Sequence, residues 1–218
     1  MWGVLMDGAG ANGVRETGRL EAFSDGVFAI AVTLLVLELR APLPTALHEG
    51  ERLWDVLRHE WPAYLAFATS FATILIMWVN HHNLFALIRR TDHAFLLLNG
   101  LLLATVTVIP FPTQVLAEYI REPDARTAAI FYAGTFLAMA VAFNRLWWYA
   151  QRDGRLLVPD VDPVVIRTIN QQFRLGPLTY VVALVVAALQ PIVGFALVML
   201  LAVYWALPEG LRLGPGHK

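Results

Sequence analysis

The sequence predicts an all-α integral membrane protein with six transmembrane helices and both termini in the cytoplasm, on three observations. Hydrophobic residues make up 58% of the chain and charged residues only 15%, against about 25% charged in a soluble domain, and the mean hydropathy is +0.58. Apolar runs of helical length alternate with short charged or proline-bearing segments. The 16 Lys and Arg residues are also divided unevenly between alternate segments. That asymmetry orients a membrane protein. A net charge of −1 without a basic tract gives no footprint for nucleic acid. The absence of Cys excludes disulfides and thiolate metal sites.

Residues 1–14 are Gly-rich without Lys or Arg, so they lack the basic segment of a signal peptide. Residues 1–18 are expected to form a flexible tail, followed by a membrane domain over 19–208 and a C-terminal tail over 209–218. The first span, about 20–39, measures about 30 Å as a helix, the thickness of a bilayer core.

From Arg40 to Glu60 a loop with Pro42 and Pro44 contains a short interfacial helix, because Leu53, Trp54 and Leu57 share one helical face. The second span, about 61–80, starts with Pro62 in its first turn and ends in Trp78-Val79-Asn80-His81-His82. The third, about 93–112, is expected to stop at Pro110 and Pro112. The fourth covers about 127–149 and finishes in the aromatic cluster Trp147, Trp148, Tyr149, an interfacial belt.

Asp162-Pro163 supplies an N-cap and a first-turn proline, and Val165, Ile169 and Phe173 recur on one face, predicting a short amphipathic helix on the membrane surface. Residues 175–208 hold no charged side chain. One helix of that length would be about 50 Å long, so Gln190-Pro191 is expected to turn the chain between spans at 175–189 and 191–207. Segments on the N-terminal side of the membrane then carry Arg15, Arg19, Arg89, Arg90, Arg145, Arg152, Arg155, Arg167, Arg174, Arg212 and Lys218. Only Arg40, Arg52, Arg58, Arg121 and Arg126 fall on the other side. The richer side is cytoplasmic.

The first span is unusual in carrying Asp25, which costs on the order of 3 kcal/mol within hydrocarbon. At 100° per residue, Arg19, Phe23, Gly26, Ile30, Thr33, Leu34 and Leu37 lie within about 60° of one line, and Asp25 falls roughly 140° away. The helix therefore has an apolar stripe and a separate polar flank with Ser24 and Asp25. The predicted topology brings Asn80, His81, His82, His93 and Asn99 to the same depth as that flank. A carboxylate accepting hydrogen bonds from imidazole or amide donors is far cheaper to bury than a bare one. Such a network would fix the angle and rotation of the first helix.

Chemical alternatives are few. One His-His pair with scattered single histidines does not make a repeated metal-binding box, and no P-loop, nucleophile elbow or H-E-x-x-H helix is present. The Thr105-Val-Thr-Val run lacks the glycines of a carbonyl-lined potassium filter. A proton- or ion-coupled secondary transporter working through Asp25 and His81 or His82 is the principal rival reading. A membrane scaffold is the third.

The run Arg19-x-x-x-Phe23-Ser24-Asp25-Gly-Val-Phe-Ala-Ile30-Ala-Val-Thr33-Leu34-Leu-Val-Leu37-Glu38, with Trp78-Val-Asn80-His81-His82 further on, closely resembles the signature of the transmembrane protein 175 family. Its members are potassium-permeable channels of lysosomes and prokaryotes. The resemblance implies a non-enzymatic, passive channel of modest potassium selectivity in a prokaryotic cell membrane, with no cofactor and potassium as the permeant ion. Animal members carry two six-helix repeats and this chain carries one, so a homotetramer is implied. By the same resemblance, four first helices line the pore, Ile30, Leu34 and Leu37 form a hydrophobic constriction, and Thr33 adds a hydroxyl layer. Arg19, Phe23, Ser24, Asp25, Asn80, His81, His82, His93 and Asn99 would form the structural network behind it.

Overall fold

The computed structural model describes residues 9–39, 52–159 and 161–206, with side chains from Thr17 onward. The regular structure of the described residues is helical apart from one isolated bridge. Its helices are α1 (Ala9–Leu34), α2 (Leu53–His59), α3 (Trp61–Phe85), α4 (His93–Val108), α5 (Pro110–Tyr119), α6 (Ala125–Gln151), α7 (Pro163–Leu189) and α8 (Pro191–Ala206). A 3₁₀ turn, Leu35–Glu38, extends α1. Five stretches are long and apolar enough to cross a membrane: Thr17–Glu38, Trp61–Phe85, His93–Tyr119, Ala125–Gly154 and Pro163–Leu189. The apolar α8, at 16 residues, is shorter, about 24 Å long.

Several predicted boundaries move, each for a local reason. α1 begins at Ala9, so residues 9–18 are helix and not tail: no proline interrupts them, and extending an established helix avoids the cost of a new nucleus. Residues 1–8 and the 209–218 tail lie outside the described residues. α3 continues to Phe85, which puts His81 and His82 inside the helix instead of at its end. α6 likewise runs two residues further at each end than predicted.

The prolines at 110 and 112 do not end the third span. They open α5 instead, in a first turn where no backbone N–H is needed. Ile109 keeps right-handed helical dihedrals (φ −51, ψ −39), and its N–H reaches the Val106 carbonyl at 3.1 Å. The chain therefore continues as a broken span from His93 to Tyr119.

The surface helix predicted near residue 163 and the span predicted from residue 175 are one continuous helix, α7. Its N-terminal half is held against α6. The Trp147 indole donates to Asn170 (2.7 Å), Asn170 donates to Gln151 (2.9 Å), and Phe173 packs edge-on against Phe143. Pro177 is absorbed within α7. The turn at Gln190 then folds α8 back so closely that a Cβ on Gly194 would overlap the Ala187 backbone.

α6 is the hub, contacting α4, α5, α7 and α8, and it buries Tyr132, Phe136, Met139, Leu146 and Trp147. Between α3, α5 and α6, Ser70 bonds both Thr113 (2.7 Å) and Tyr132 (2.9 Å). At one end the α3–α4 and α6–α7 loops are clamped: Arg89 N–H donates to the Leu156 carbonyl (2.8 Å) and Val158 N–H to that of Leu87 (3.0 Å). Asp92 caps α4 through the Phe95 N–H (2.9 Å) and also accepts from Tyr149 and Arg155, both at 2.8 Å. α1 stands outside this scaffold, packed on α3 and α4.

Candidate functional site

Two flanks of α1 have opposite surroundings. The inner flank buries Ser24, Phe28, Ala31 and Leu35. On the outer flank Arg19, Phe23, Gly26, Ile30, Thr33, Leu34 and Leu37 are all exposed, with Ile30 at 58%, Leu34 at 38% and Leu37 at 67%. These are the seven residues of the stripe read from the helical period. No other part of the described chain covers them.

Three polar contacts hold the inner flank. The Trp78 indole N–H donates to the Asp25 carboxylate at 2.9 Å. One turn away on both helices, His82 Nδ1 lies 3.1 Å from Glu21, with its ring stacked on that of Trp78. Deeper in, Ser24 Oγ donates to the Leu20 carbonyl (2.8 Å) and accepts from Asn99 Nδ2 (3.0 Å), whose Oδ1 faces His81 Nε2 at 2.9 Å.

The last chain has only one consistent direction. A carbonyl only accepts, so the Ser24 proton goes to Leu20 and its oxygen takes the Asn99 N–H. The amide oxygen of Asn99 then faces His81, whose Nε2 must carry the ring proton. His81 is fully buried between the rings of Phe28 and Phe85.

The structure thus joins Ser24, Asp25, His81, His82 and Asn99 around α1. Among the predicted network residues it leaves four outside these bonds. Arg19 and Phe23 sit on the exposed outer flank, His93 is exposed at the start of α4, and Asn80 borders cavities between α3, α6 and α7. The partner of Asp25 is an indole, neither imidazole nor amide. Sequence reasoning missed Trp78 and Glu21, although a signal was available: each stands four residues before a network residue on its own helix, and such pairs share a face.

The exposed stripe is apolar except for Thr33 and the terminal Arg19. Thr33 donates its hydroxyl proton to the Ile30 carbonyl at 2.9 Å, which leaves its oxygen lone pairs facing outward. Among the described residues no group of three His, Cys, Asp or Glu could hold a metal ion.

The chain is similar to known ion channels over most of its length. The model of a family described as the endosomal/lysosomal potassium channel TMEM175 matches residues 19–110. A potassium channel of Chamaesiphon minutus is 53% identical over 192 residues, covering 88% of this chain and 94% of that protein. A potassium channel of Streptomyces collinus is 45% identical over 193 residues, covering 88% and 92%. The human endosomal/lysosomal proton channel TMEM175 is 36% identical over 135 residues, 60% of this chain and 27% of its own length. The crystal structure of a lysosomal potassium-selective channel TMEM175 homolog from Chamaesiphon minutus aligns with a TM-score of 0.80 at 50% identity, covering 88% of this chain and 97% of that one.

Proposed function

Because the chain belongs to the TMEM175 family, whose members are ion channels and not enzymes, we propose that it is a passive potassium channel whose ion pathway runs along the outer flank of α1. The observation that carries this reading is that flank itself. An entire apolar stripe is left bare on a helix whose opposite side is tied down by three polar contacts.

In this reading six spans cross the cell membrane of a prokaryote, α8 being the sixth, with both termini cytoplasmic. Four copies bring four α1 helices to one axis. Ile30, Leu34 and Leu37 then form rings that gate by dewetting: narrow, they exclude water and ions; slightly wider, they pass a hydrated or partly hydrated cation. Aliphatic rings cannot replace a hydration shell, so selectivity is modest. Thr33, with its proton committed to Ile30, contributes oxygen lone pairs to a cation at the narrow segment.

A coupled transporter would need Asp25 and a histidine to exchange protons with the pathway. It is disfavoured by the Trp78 bond to Asp25 and the burial of His81. The test is potassium flux in liposomes. Ile30→Asn, which wets the constriction, should raise flux several-fold, on the order of 1 kcal/mol in the barrier. No flux from either protein would overturn the proposal.

A further inference from the structure

α6 and α7, which pack together, form a surface whose two halves differ. At its basic end a cavity of about 290 Å³ is bordered by Arg145 and Arg174, one from each helix, with Trp148 and Asn144 beside them. Both arginines are exposed, and neither α6 nor α7 contains an acidic residue. Among the described residues neither guanidinium has an ion-pair partner. The neighbouring Arg152 lies over the Trp148 ring at 5.6 Å and reaches Asp153 at 3.8 Å.

Further along, a second, apolar groove of about 550 Å³ is lined by Gly134, Ala138 and Leu184 with residues of α4. Its threonines turn their hydroxyls into their own helices, Thr105 to Leu102 (2.6 Å) and Thr135 to Phe131 (2.9 Å).

The two features lie on one line. Gly134, Ala138, Val141, Arg145 and Trp148 follow the i, i+4, i+7, i+11, i+14 spacing of a single helical face. Gly134 and Arg145 are therefore about 16 Å apart along the axis, close to the roughly 15 Å of one hydrocarbon leaflet. Arg145 stands one turn inside the Trp148 level, where a basic side chain meets phosphate groups.

We propose that this surface is a binding site for an anionic phospholipid. Arg145 and Arg174 take the phosphate, Trp148 flanks the headgroup, and one acyl chain runs down the face to the Gly134 and Ala138 groove. A lone interfacial arginine would merely reach for water. Two guanidiniums without carboxylates bordering one cavity, with an apolar groove about one leaflet further along the same face, select for negative charge joined to a long chain.

The test is native mass spectrometry of the delipidated full-length protein exposed to phosphatidylglycerol or phosphatidylcholine with the same C18 chains. Wild type should retain phosphatidylglycerol and shed phosphatidylcholine. Arg145→Gln with Arg174→Gln should weaken retention by about thirtyfold, whereas the charge-matched pair Arg52→Gln with Arg126→Gln should not. Ala138→Phe should weaken C18 phosphatidylglycerol but not the dihexanoyl lipid. Equal retention of both headgroups, unchanged retention by the 145/174 pair, or displacement by inorganic phosphate as readily as by phosphatidylglycerol would each overturn the proposal.

Discussion

At the scale of single residues, the chemistry around Asp25 departs most from what its neighbours suggest. An intramembrane carboxylate beside two histidines invites a proton relay, yet its bond runs to an indole N–H, which neither gives up nor accepts a proton in this range. We propose that this bond positions a helix. Trp78→Phe should therefore leave Asp25 short of its donor and destabilise the protein by about 2 kcal/mol, the scale of a hydrogen bond to a charged group. Asp25→Asn retains an acceptor oxygen for Trp78 and should cost only about half as much. Thermal unfolding of the two variants in detergent checks the order. A transporter would invert the functional consequence, with Asp25→Asn abolishing transport and Trp78→Phe sparing it.

At the scale of elements, the α3–α4 and α6–α7 loops act as a clip at one end of the bundle, with Asp92 as its centre. Partial burial pushes the Asp92 carboxyl up, but the Phe95 N–H, the Tyr149 hydroxyl and Arg155 outweigh it and hold the carboxyl below its ordinary value. A carboxyl lowered in the folded state adds stability that is complete above the ordinary carboxylate range and fades as pH falls through the folded value. Melting curves of wild type and Asp92→Asn should accordingly differ at neutral pH and converge in acid. A gap that persisted in acid would mean that the clip does not depend on the charge.

Elements also show where sequence patterns can be read and where they mislead. The two flanks of α1 were legible because a 3.6-residue period sorts Ile30 and Leu34 from Ser24 and Phe28 without reference to any other helix. The fate of Pro110, Pro112 and Pro177 was not legible. A proline ends a helix only when the missing N–H is needed, and whether it is needed depends on Val106, Thr113 and the packing beyond. Similarly, the amphipathic face of residues 163–173 reads as a surface helix until Trp147 and Gln151 supply partners for Asn170. Local spacing places Trp78 on the face of His82, but its pairing with Asp25 depends on a register between α1 and α3 that no local pattern contains.

At the scale of the whole molecule, the proposed function needs more than one chain. A scaffold centred on α6 holds α1 at its edge, inner flank bonded and outer flank bare. In the proposed homotetramer that flank closes around an axis, and the exposed stripe becomes a conduit. The chain contains no Cys, so a single introduced thiol reports on one position without background. The most direct measurement is oxidative cross-linking, in membranes, of Leu34→Cys, with the exposed Leu178→Cys as the control. We predict that Leu34→Cys forms disulfide-linked dimers between copies under oxidation and that, in separate unoxidised samples, a water-soluble thiol reagent blocks potassium flux, while Leu178→Cys does neither. Leu34→Cys that stays monomeric under oxidation and reacts only with lipid-soluble reagents would contradict it.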